Sequence, residues 1–358
     1  MNPQPALRFF LGSEPERIAP LGAGNINDTF LVVRSSGEPV VLQRINQTVF
    51  PDPGLVQENI RRVTAHLREA RPSDEEEDLR FPLLLTGAAG PTFADESGVW
   101  RLLSFIPGEA REAIDSPAQA GALGSCLGLF HRLLAGLDCG ELADPLPGFH
   151  HTPTRLDRFD RVLEQSEPPP DDPDVRHCLA FIEECRSLAP LLHETPGLTR
   201  CVIHGDPKVA NFLFDPPGSD RVTGLVDLDT VGPGLLLHDL GDALRSCCNR
   251  TGECPDRPET THFDAALFSA WLKGYASRAE MMLTAADKAH IVDAVRVIAF
   301  ELGLRFFTDH LEGDRYFKVQ APGDNLRRAL VQFRLVRSIE QQQTELEKRA
   351  AALLHGRA

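Results

Sequence analysis

One apolar stretch of the chain, Cys201–Arg245, carries several acidic and amide side chains. Asp206 and Asn211 follow one short apolar run, and Asp227 follows another. Short apolar runs bounded by Gly and Pro are typical of buried strands, so we expect these side chains at strand ends or in the intervening loop. Burying charged groups is costly unless they have partners. A bound cation and a polyphosphate would provide such partners.

The spacing of these residues indicates a reaction. An Asp, an Asn five residues later and a further Asp after two strands are typical of kinase phosphoryl transfer. There, the first Asp accepts the proton of the attacking hydroxyl, while the Asn and the later Asp hold Mg²⁺. We therefore predict Asp206 as the base and Asn211 and Asp227 as metal ligands. Lys208 is placed to meet the transferred phosphoryl group, and Asp229 is a candidate for a second metal or for supporting the first.

Composition limits the class of protein. The chain has 358 residues and is 42% hydrophobic, which is enough for a large core and favours two lobes. Its formal net charge of −15 argues against binding nucleic acid or an anionic membrane surface. The eight Cys include no Cys-x-x-Cys pair, so free thiols are expected rather than disulfides or zinc ligands.

No segment resembles a signal peptide or reaches the length of a membrane span. The sequence therefore predicts a cytoplasmic enzyme whose partners are small molecules. We expect a monomer or a weak dimer.

Two parts of the chain differ in pattern. In residues 1–106, short runs of apolar and β-branched residues are typical of strands. From Ser116 onward the apolar spacing becomes helical. We therefore predict an α+β protein with lobes 1–106 and 107–358. The first lobe is predicted to contain the helix Leu55–Ala70 and six strands: Ile18–Leu21, Thr29–Val33, Val40–Ile45, Leu83–Leu85, Thr92–Ala94 and Val99–Ile106. The second lobe is predicted to include a helix capped by Ser116, a helix from Val175 to Leu192, and a helix that starts with a capping box of Thr284 and Asp287.

The motif His204-Gly-Asp-x-x-x-x-Asn211, followed by Val226-Asp-Leu-Asp229, resembles the aminoglycoside phosphotransferase superfamily, the small-molecule relatives of protein kinases. Within it, the chain is most similar to the N-acetylhexosamine 1-kinases. That similarity rests on four stretches: Gly22–Asn27, Leu42–Pro51, Val226–Thr230 and Gly303–Phe317. The resemblance implies a two-lobed protein-kinase-like fold, with a small antiparallel-sheet N-lobe and a mostly helical C-lobe. It also implies ATP and Mg²⁺ as cofactors.

The first lobe is expected to cover the nucleotide. Gly22 and Gly24 form a turn whose backbone N–H groups can approach phosphate, because no Cβ intervenes. Asn25 is a candidate for contacts to phosphate or sugar. The third strand carries Gln43 or Arg44 where kinases usually have a Lys. We predict Gln43 as the inward residue.

The junction of the lobes is predicted at Pro107-Gly108. In the family that the chain resembles, adenine binds the backbone of this hinge. The resemblance therefore implies adenine contacts from Ser104, Phe105 and Ile106.

The resemblance also implies an acceptor site. Thr230, Arg305 and Tyr316 are expected to contact the sugar, together with Asp206 and Asn25. On the residues alone, Glu301 and Arg305 lie one helical turn apart and would form a surface ion pair.

Four other polar residues are interpreted as structural. We expect His131 to have a packing role and His204 to orient the loop that carries Asp206. Asp239 and Asp242 are expected to support that loop rather than to bind ligands.

The sequence thus predicts transfer of the γ-phosphoryl group of ATP to the anomeric hydroxyl of an N-acetylhexosamine. Another aminosugar or an aminoglycoside is an alternative acceptor. A non-catalytic nucleotide-binding module is the alternative of another class, because the third glycine of the loop and the strand Lys are both missing.

Overall fold

A computed structural model of the protein describes residues 2–22, 26–70, 79–165 and 172–354. Both helices and strands are abundant, which confirms the α+β prediction. The strands are Arg17–Pro20 (β1), Asp28–Val33 (β2), Val40–Ile45 (β3), Leu84–Leu85 (β4), Thr92–Asp95 (β5), Gly98–Ser104 (β6), Glu109–Ala110 (β7), Arg200–Ile203 (β8), Phe212–Phe214 (β9), Val222–Leu225 (β10) and Gly232–Leu235 (β11). The helices are Gln4–Leu11 (α1), Pro53–Glu69 (α2), Pro117–Leu134 (α3), Thr152–Gln165 (α4), Pro173–Cys185 (α5), Leu191–Glu194 (α6), Leu236–Cys247 (α7), Ala265–Ala279 (α8), Ala285–Leu311 (α9) and Asp324–Leu354 (α10).

Strands β1 to β6 form an antiparallel sheet in the order β1-β2-β3-β6-β4, and β5 also pairs with β6. The three strands predicted at the start of the chain are confirmed to within a residue or two. Alternation along β3 directs Leu42 into a small core under α1 and directs Gln43 to the opposite face. The register sets Gln43 between Thr29 on β2 and Arg101 on β6.

The helices that follow form the larger core. As predicted, Ser116 caps α3 and its hydroxyl accepts the N–H of Gln119. Helices α3 and α8 pack so closely that a Cβ on Gly274 would lie 2.0 Å from the carbonyl oxygen of Gly121. The predicted capping box of Thr284 and Asp287 starts α9.

One predicted helix is wrong in length. The stretch predicted as a single helix from Val175 to Leu192 ends at Cys185, continues as a short 3₁₀ turn and resumes as α6 after Pro190. Proline lacks an N–H and clashes with the preceding turn, so it interrupts the helix.

Two small sheets carry the polar cluster found in the sequence. β8 pairs with β11, and β9 lies between β10 and β7. The loop from β8 to β9 therefore faces the end of β10, which explains how residues far apart in sequence converge. The lobe boundary at residue 106 stays a prediction. Of the described helices, none combines the length and apolarity that crossing a bilayer requires.

Candidate active site

The loop between β8 and β9, residues 204–211, is here called the catalytic loop. Asp239 at the start of α7 accepts the backbone N–H groups of His204 and Gly205 at 2.7 and 2.8 Å. His131 also contacts Asp239 at 2.9 Å and reaches Tyr275 with its other nitrogen. These bonds satisfy a fully buried carboxylate. They agree with the structural roles expected for Asp239 and His131.

His204 connects the catalytic loop to the next part of the site. Its Nε2 lies 3.0 Å from the carbonyl oxygen of Val226, and its Nδ1 accepts the N–H of Asp206 at 3.3 Å. These two contacts fit a neutral imidazole that donates through Nε2. Burial lowers the pKa of His204, which favours the same neutral form.

Asp206 lies at the centre of the catalytic loop with about a quarter of its side chain exposed. Lys208 Nζ is 3.0 Å from its Oδ2. The Asn211 amide donates to the Asp206 backbone oxygen at 2.7 Å and to Oδ2 at 3.3 Å. Burial raises the pKa of Asp206, but Lys208, Arg245 and His204 together outweigh burial and the net shift is downward. The carboxylate is therefore ionised at neutral pH and can accept a proton.

Asp227 follows β10 with φ of 65°, in the left-handed region that residues other than Gly rarely adopt. The N–H of Val226 donates to the carbonyl oxygen of Asn211, which holds the two segments together. Burial and then the carboxylates of Asp229 and Asp206 raise the pKa of Asp227 to about 7. This crowding of negative charge would be relieved by a cation.

The available donors fit a magnesium ion. Because the Asn211 nitrogen is engaged with Asp206, its amide oxygen is the atom that can turn toward a cation. With the Asp227 carboxylate it would give two protein oxygen ligands, as Mg²⁺ sites with phosphate ligands often have. Across the described parts of the chain, no three His, Cys, Asp or Glu residues are arranged to hold a metal. A site of zinc type is therefore not found there.

Asp229, also predicted as a metal residue, is held by the first lobe. Arg101 donates to its Oδ1, and the Asn27 amide donates to its Oδ2 at 2.7 Å. Both the guanidinium and the carboxylate are almost fully buried. Asp229 therefore ties the sheet to the catalytic region in this structure. Its role as a metal ligand stays a prediction.

Arg101 is a site residue that our sequence reasoning missed. It lies on β6 opposite Gln43, whose amide oxygen accepts two of its N–H groups, and Gln43 donates in turn to Thr29. Its Nη1 is buried and has no partner in the part of the chain that the structure describes. The signal was a lone Arg inside the apolar strand Val99–Leu103, because a buried charge requires partners.

The residues predicted to contact the nucleotide differ in what the structure shows of them. Gly22 has φ of 72° and open space where a Cβ would lie, so its backbone is accessible. Gly24 and Asn25 fall outside the described residues. At the hinge, the Ser104 N–H already donates to the Leu83 oxygen at 2.9 Å. The Ser104 N–H is therefore engaged within the sheet, and an adenine contact from the Ser104 backbone stays a prediction.

Phe105 and Ile106 continue the chain from the sheet toward the helices, and Ile106 packs against Gly224 before Asp227. This position beside the catalytic region is compatible with a nucleotide. Adenine binding by Phe105 and Ile106 stays a prediction.

Comparison with known proteins identifies the family. The profile of the phosphotransferase enzyme family (APH) matches residues 17–281, well over half of the chain. The chain belongs to this family. The match includes the sheet, the catalytic loop and Asp227.

Solved structures share the fold of this phosphotransferase. An amicoumacin kinase, in complex with AMP-PNP, Ca²⁺ and Ami, superposes with a TM-score of 0.60 at 18% identity, covering 95% of this chain and 92% of the other. A choline kinase from Cryptosporidium parvum also gives 0.60, at 12% identity and the same coverage. An ADP-bound aminoglycoside phosphotransferase gives 0.52 at 16% identity and 98% coverage of both chains. These similarities confirm the kinase-like fold.

The acceptor side of the phosphotransferase differs from the simplest sequence interpretation. Glu301 and Arg305 do not form a surface ion pair. Glu301 is 1% exposed and its carboxylate contacts His150 and Thr152 instead. The prediction failed because the loop before α4 packs onto this face of α9.

Arg305 lies among aromatic rings. Its guanidinium carbon is 4.5 Å from the Phe149 ring centre and 5.9 Å from that of Tyr316. Arg155 donates to the carbonyl oxygen of Phe149 at 3.0 Å. Phe149, Arg155, Arg305 and Tyr316 are here called the arginine–aromatic cluster. The structure therefore brings together Arg305 and Tyr316, two of the residues that the resemblance implied for sugar binding.

A cavity of about 200 Å³ lies next to this cluster. Phe149 and His150 form one wall, and Gly205 and Thr230 form another. Thr230 donates to the carbonyl oxygen of His204 at 2.8 Å, so it contacts the catalytic loop directly. The cavity thus reaches Phe149 of the cluster and the residue preceding Asp206, whereas Arg155, Arg305 and Tyr316 line a separate pocket.

Proposed function

We propose that this phosphotransferase transfers the γ-phosphoryl group of ATP to the anomeric hydroxyl of an N-acetylhexosamine, N-acetylglucosamine or N-acetylgalactosamine. The observation that carries the proposal is the convergence of Asp206, Asn211 and Asp227, within a family of phosphotransferases. Positioning and charge neutralisation account for most of the catalysis in this type of reaction.

Asp206 acts as the base. It is ionised, partly exposed and next to the cavity wall at Gly205. An anomeric hydroxyl is more acidic than other sugar hydroxyls, so a carboxylate of lowered pKa can still orient it and accept its proton. Lys208, which contacts Asp206, is placed so that its ammonium group can stabilise the negative charge of the transferred phosphoryl group.

Asn211 and Asp227 would hold Mg²⁺, which would neutralise negative charge on the phosphates of ATP. The unpartnered Nη1 of Arg101 offers a further positive donor beside Asp229. We assign to Arg101 the phosphate contact that a strand Lys makes in other kinases. Gly22, Gln43, Phe105 and Ile106 complete the proposed nucleotide site.

The arginine–aromatic cluster supports an uncharged acceptor. Burial and then the neighbouring Arg305 lower the pKa of Arg155 to about 10, which reflects two positive charges in close proximity. Such a surface opposes an ammonium-bearing aminoglycoside or aminosugar. A neutral acylated sugar can stack on the rings and accept hydrogen bonds from Arg305 and Tyr316.

A screen tests the proposal. The protein is incubated with ATP, Mg²⁺ and, separately, N-acetylglucosamine, N-acetylgalactosamine, glucosamine and an aminoglycoside, and the products are examined by phosphorus NMR. We expect a phosphate signal split by the anomeric proton with an N-acetylated sugar. Phosphorylation of the aminoglycoside alone, or of another hydroxyl, would contradict it. ATP turnover that is absent with every acceptor would favour the non-catalytic alternative.

A further inference from the structure

His150 contacts two parts of the site that are far apart in sequence. Its Nδ1 lies 3.0 Å from Oε1 of Glu301 on α9. Its Nε2 lies 2.8 Å from the carbonyl oxygen of Gly205 in the catalytic loop. The side chains of His150 and Glu301 are almost fully buried. The imidazole therefore bridges α9 and the catalytic loop.

The two partners determine the protonation state of His150. A carboxylate and a peptide carbonyl can only accept hydrogen bonds, whereas a neutral imidazole has one N–H. Satisfying both contacts requires the imidazolium form. Burial lowers the pKa of His150, but the hydrogen bond and charge of Glu301, the charge of Asp242 and the contact with Gly205 together outweigh burial, and the net shift is upward. Burial raises the pKa of Glu301, but the hydrogen bond and charge of His150, together with Thr152 and Arg305, outweigh burial and lower the pKa of that carboxyl to about 2.

The groups around His150 favour protonation of His150 alone among the neighbouring histidines. Helix α7 contributes Asp242, which favours the charged form, and His238, whose ring centre is 5.0 Å away. Burial and then His150 lower the pKa of His238 far below its ordinary value, so His238 stays neutral. His193 on α6 also has a lowered pKa, through burial first. Thr152 donates to the second oxygen of Glu301 at 2.6 Å and orients that carboxylate.

Both polar backbone groups of Gly205, the N–H and the carbonyl oxygen, form hydrogen bonds. Its N–H is bound by Asp239, and its carbonyl oxygen by His150. Its φ is 86°, and a Cβ there would lie 2.7 Å from the Thr230 oxygen. The Gly205 carbonyl belongs to the same planar peptide as the Asp206 nitrogen. The direction of that carbonyl therefore sets where the Asp206 side chain begins.

We propose that His150, as an imidazolium paired with Glu301, is a positioning residue that fixes the Gly205–Asp206 peptide and aims the Asp206 carboxylate at the acceptor hydroxyl. The proposal rests on the proposed function in one respect, the assignment of Asp206 as the base. If the ion pair had a purely structural role, its loss would lower the free energy of unfolding without changing kcat per folded molecule.

The test compares His150→Gln, Glu301→Gln and their double variant with His177→Gln as the matched control. His177 is an exposed histidine on α5 and does not line the cavity. We expect kcat to fall about 10- to 100-fold in each single variant of His150 and Glu301, with KM for ATP within about threefold of wild type, because a misplaced base slows the chemical step. The double variant should recover part of kcat, since two neutral amides can bond to each other. A kcat for His150→Gln equal to that of His177→Gln overturns the proposal.

The pH profile gives a second readout. A histidine with a raised pKa keeps its proton, and any interaction that depends on that proton, until the pH rises through that pKa. The kcat of the wild type should therefore decline on the alkaline side as His150 loses its proton. His150→Gln should lack this decline, because it has no proton to lose there. A decline that is unchanged in the variant contradicts the proposal.

A third readout does not depend on the acceptor. The protein is labelled with ¹³C at histidine Cε1, and the resonance of His150 is assigned from the variants. We expect it to titrate above 6.5 in the wild type and at a lower pH in Glu301→Gln. Titration at or below 6.5 in the wild type overturns the proposal. If no acceptor is phosphorylated, the proposed function fails, and this titration still decides whether His150 is the charged bridge.

Discussion

The catalytic loop and the arginine–aromatic cluster are built differently. Gly205 of the loop and Phe149 of the cluster line the cavity of about 200 Å³, whereas Arg155, Arg305 and Tyr316 line a separate pocket. In the catalytic loop, each charged group has a partner nearby: Asp206 has Lys208, and the loop backbone has Asp239. In the cluster, Arg155 and Arg305 are close together, and neither forms an ion pair with a carboxylate in the described residues. The first region is organised for a reaction that any family member could perform. The second retains two neighbouring positive charges with hydrogen-bond donors, and under the proposed function it selects the acceptor.

The largest expected effect is in the catalytic loop. Asp206→Asn removes the base while keeping the shape of the side chain, so turnover should fall about 10²- to 10⁴-fold. The measurement is kcat for phosphorylation of the accepted sugar. Asp256→Asn, at an exposed position outside the site, serves as the control and should keep wild-type turnover. Retention of full activity by Asp206→Asn would refute the assignment of the base.

Arg101→Met tests the tie between the sheet and the catalytic region. The change leaves the buried carboxylate of Asp229 without its cation, and breaking a buried ion pair costs about 3–5 kcal/mol of unfolding free energy. Affinity for MgATP should also fall about tenfold if Arg101 contacts phosphate, since a charged hydrogen bond contributes about 1.5–3 kcal/mol.

The control for this change is Arg44→Met on the adjacent strand. Arg44 pairs with Asp28, but a third of its side chain is exposed, so its removal should cost about 1 kcal/mol or less. Denaturant unfolding and calorimetric titration with MgATP measure the two effects. Equal losses of stability in the two variants would show that Arg101 has no special role.

A smaller effect is expected in the arginine–aromatic cluster. Arg305→Gln should raise KM for the sugar about tenfold, since it removes a charged hydrogen-bond donor, and should leave KM for ATP unchanged. Arg161→Gln, on the exposed side of α4, is the matched control. A rise in KM for ATP that equals the rise for the sugar would erase the distinction between the two regions.

The two regions also differ in how far the sequence alone could predict them. Asp206, Asn211 and Asp227 lie at fixed spacings within one motif, and the strands around them have clear apolar patterns, so their convergence could be predicted. Arg101 lacks any motif. Its partners Gln43 and Asp229 become neighbours only through strand register and lobe contact.

The Glu301 environment illustrates a second limit. Helical spacing predicts a contact between Glu301 and Arg305, yet the loop carrying His150 competes for the same carboxylate. Local periodicity indicates which residues share a helix face and does not indicate what packs against that face. Residues of the acceptor side come from four distant segments, so only the resemblance to a family suggested Arg305 and Tyr316.

The central claim is that Asp206 acts on the acceptor while Asn211 and Asp227 hold the cation of the nucleotide. Calorimetric titration of ATP, with and without Mg²⁺, into the wild type, Asp206→Asn and Asp227→Asn separates these roles. The account predicts that Asp206→Asn binds MgATP within about threefold of wild type, whereas Asp227→Asn loses at least about tenfold of the Mg²⁺-dependent affinity. Unchanged Mg²⁺-dependent binding in Asp227→Asn, or loss of nucleotide binding in Asp206→Asn, would contradict it.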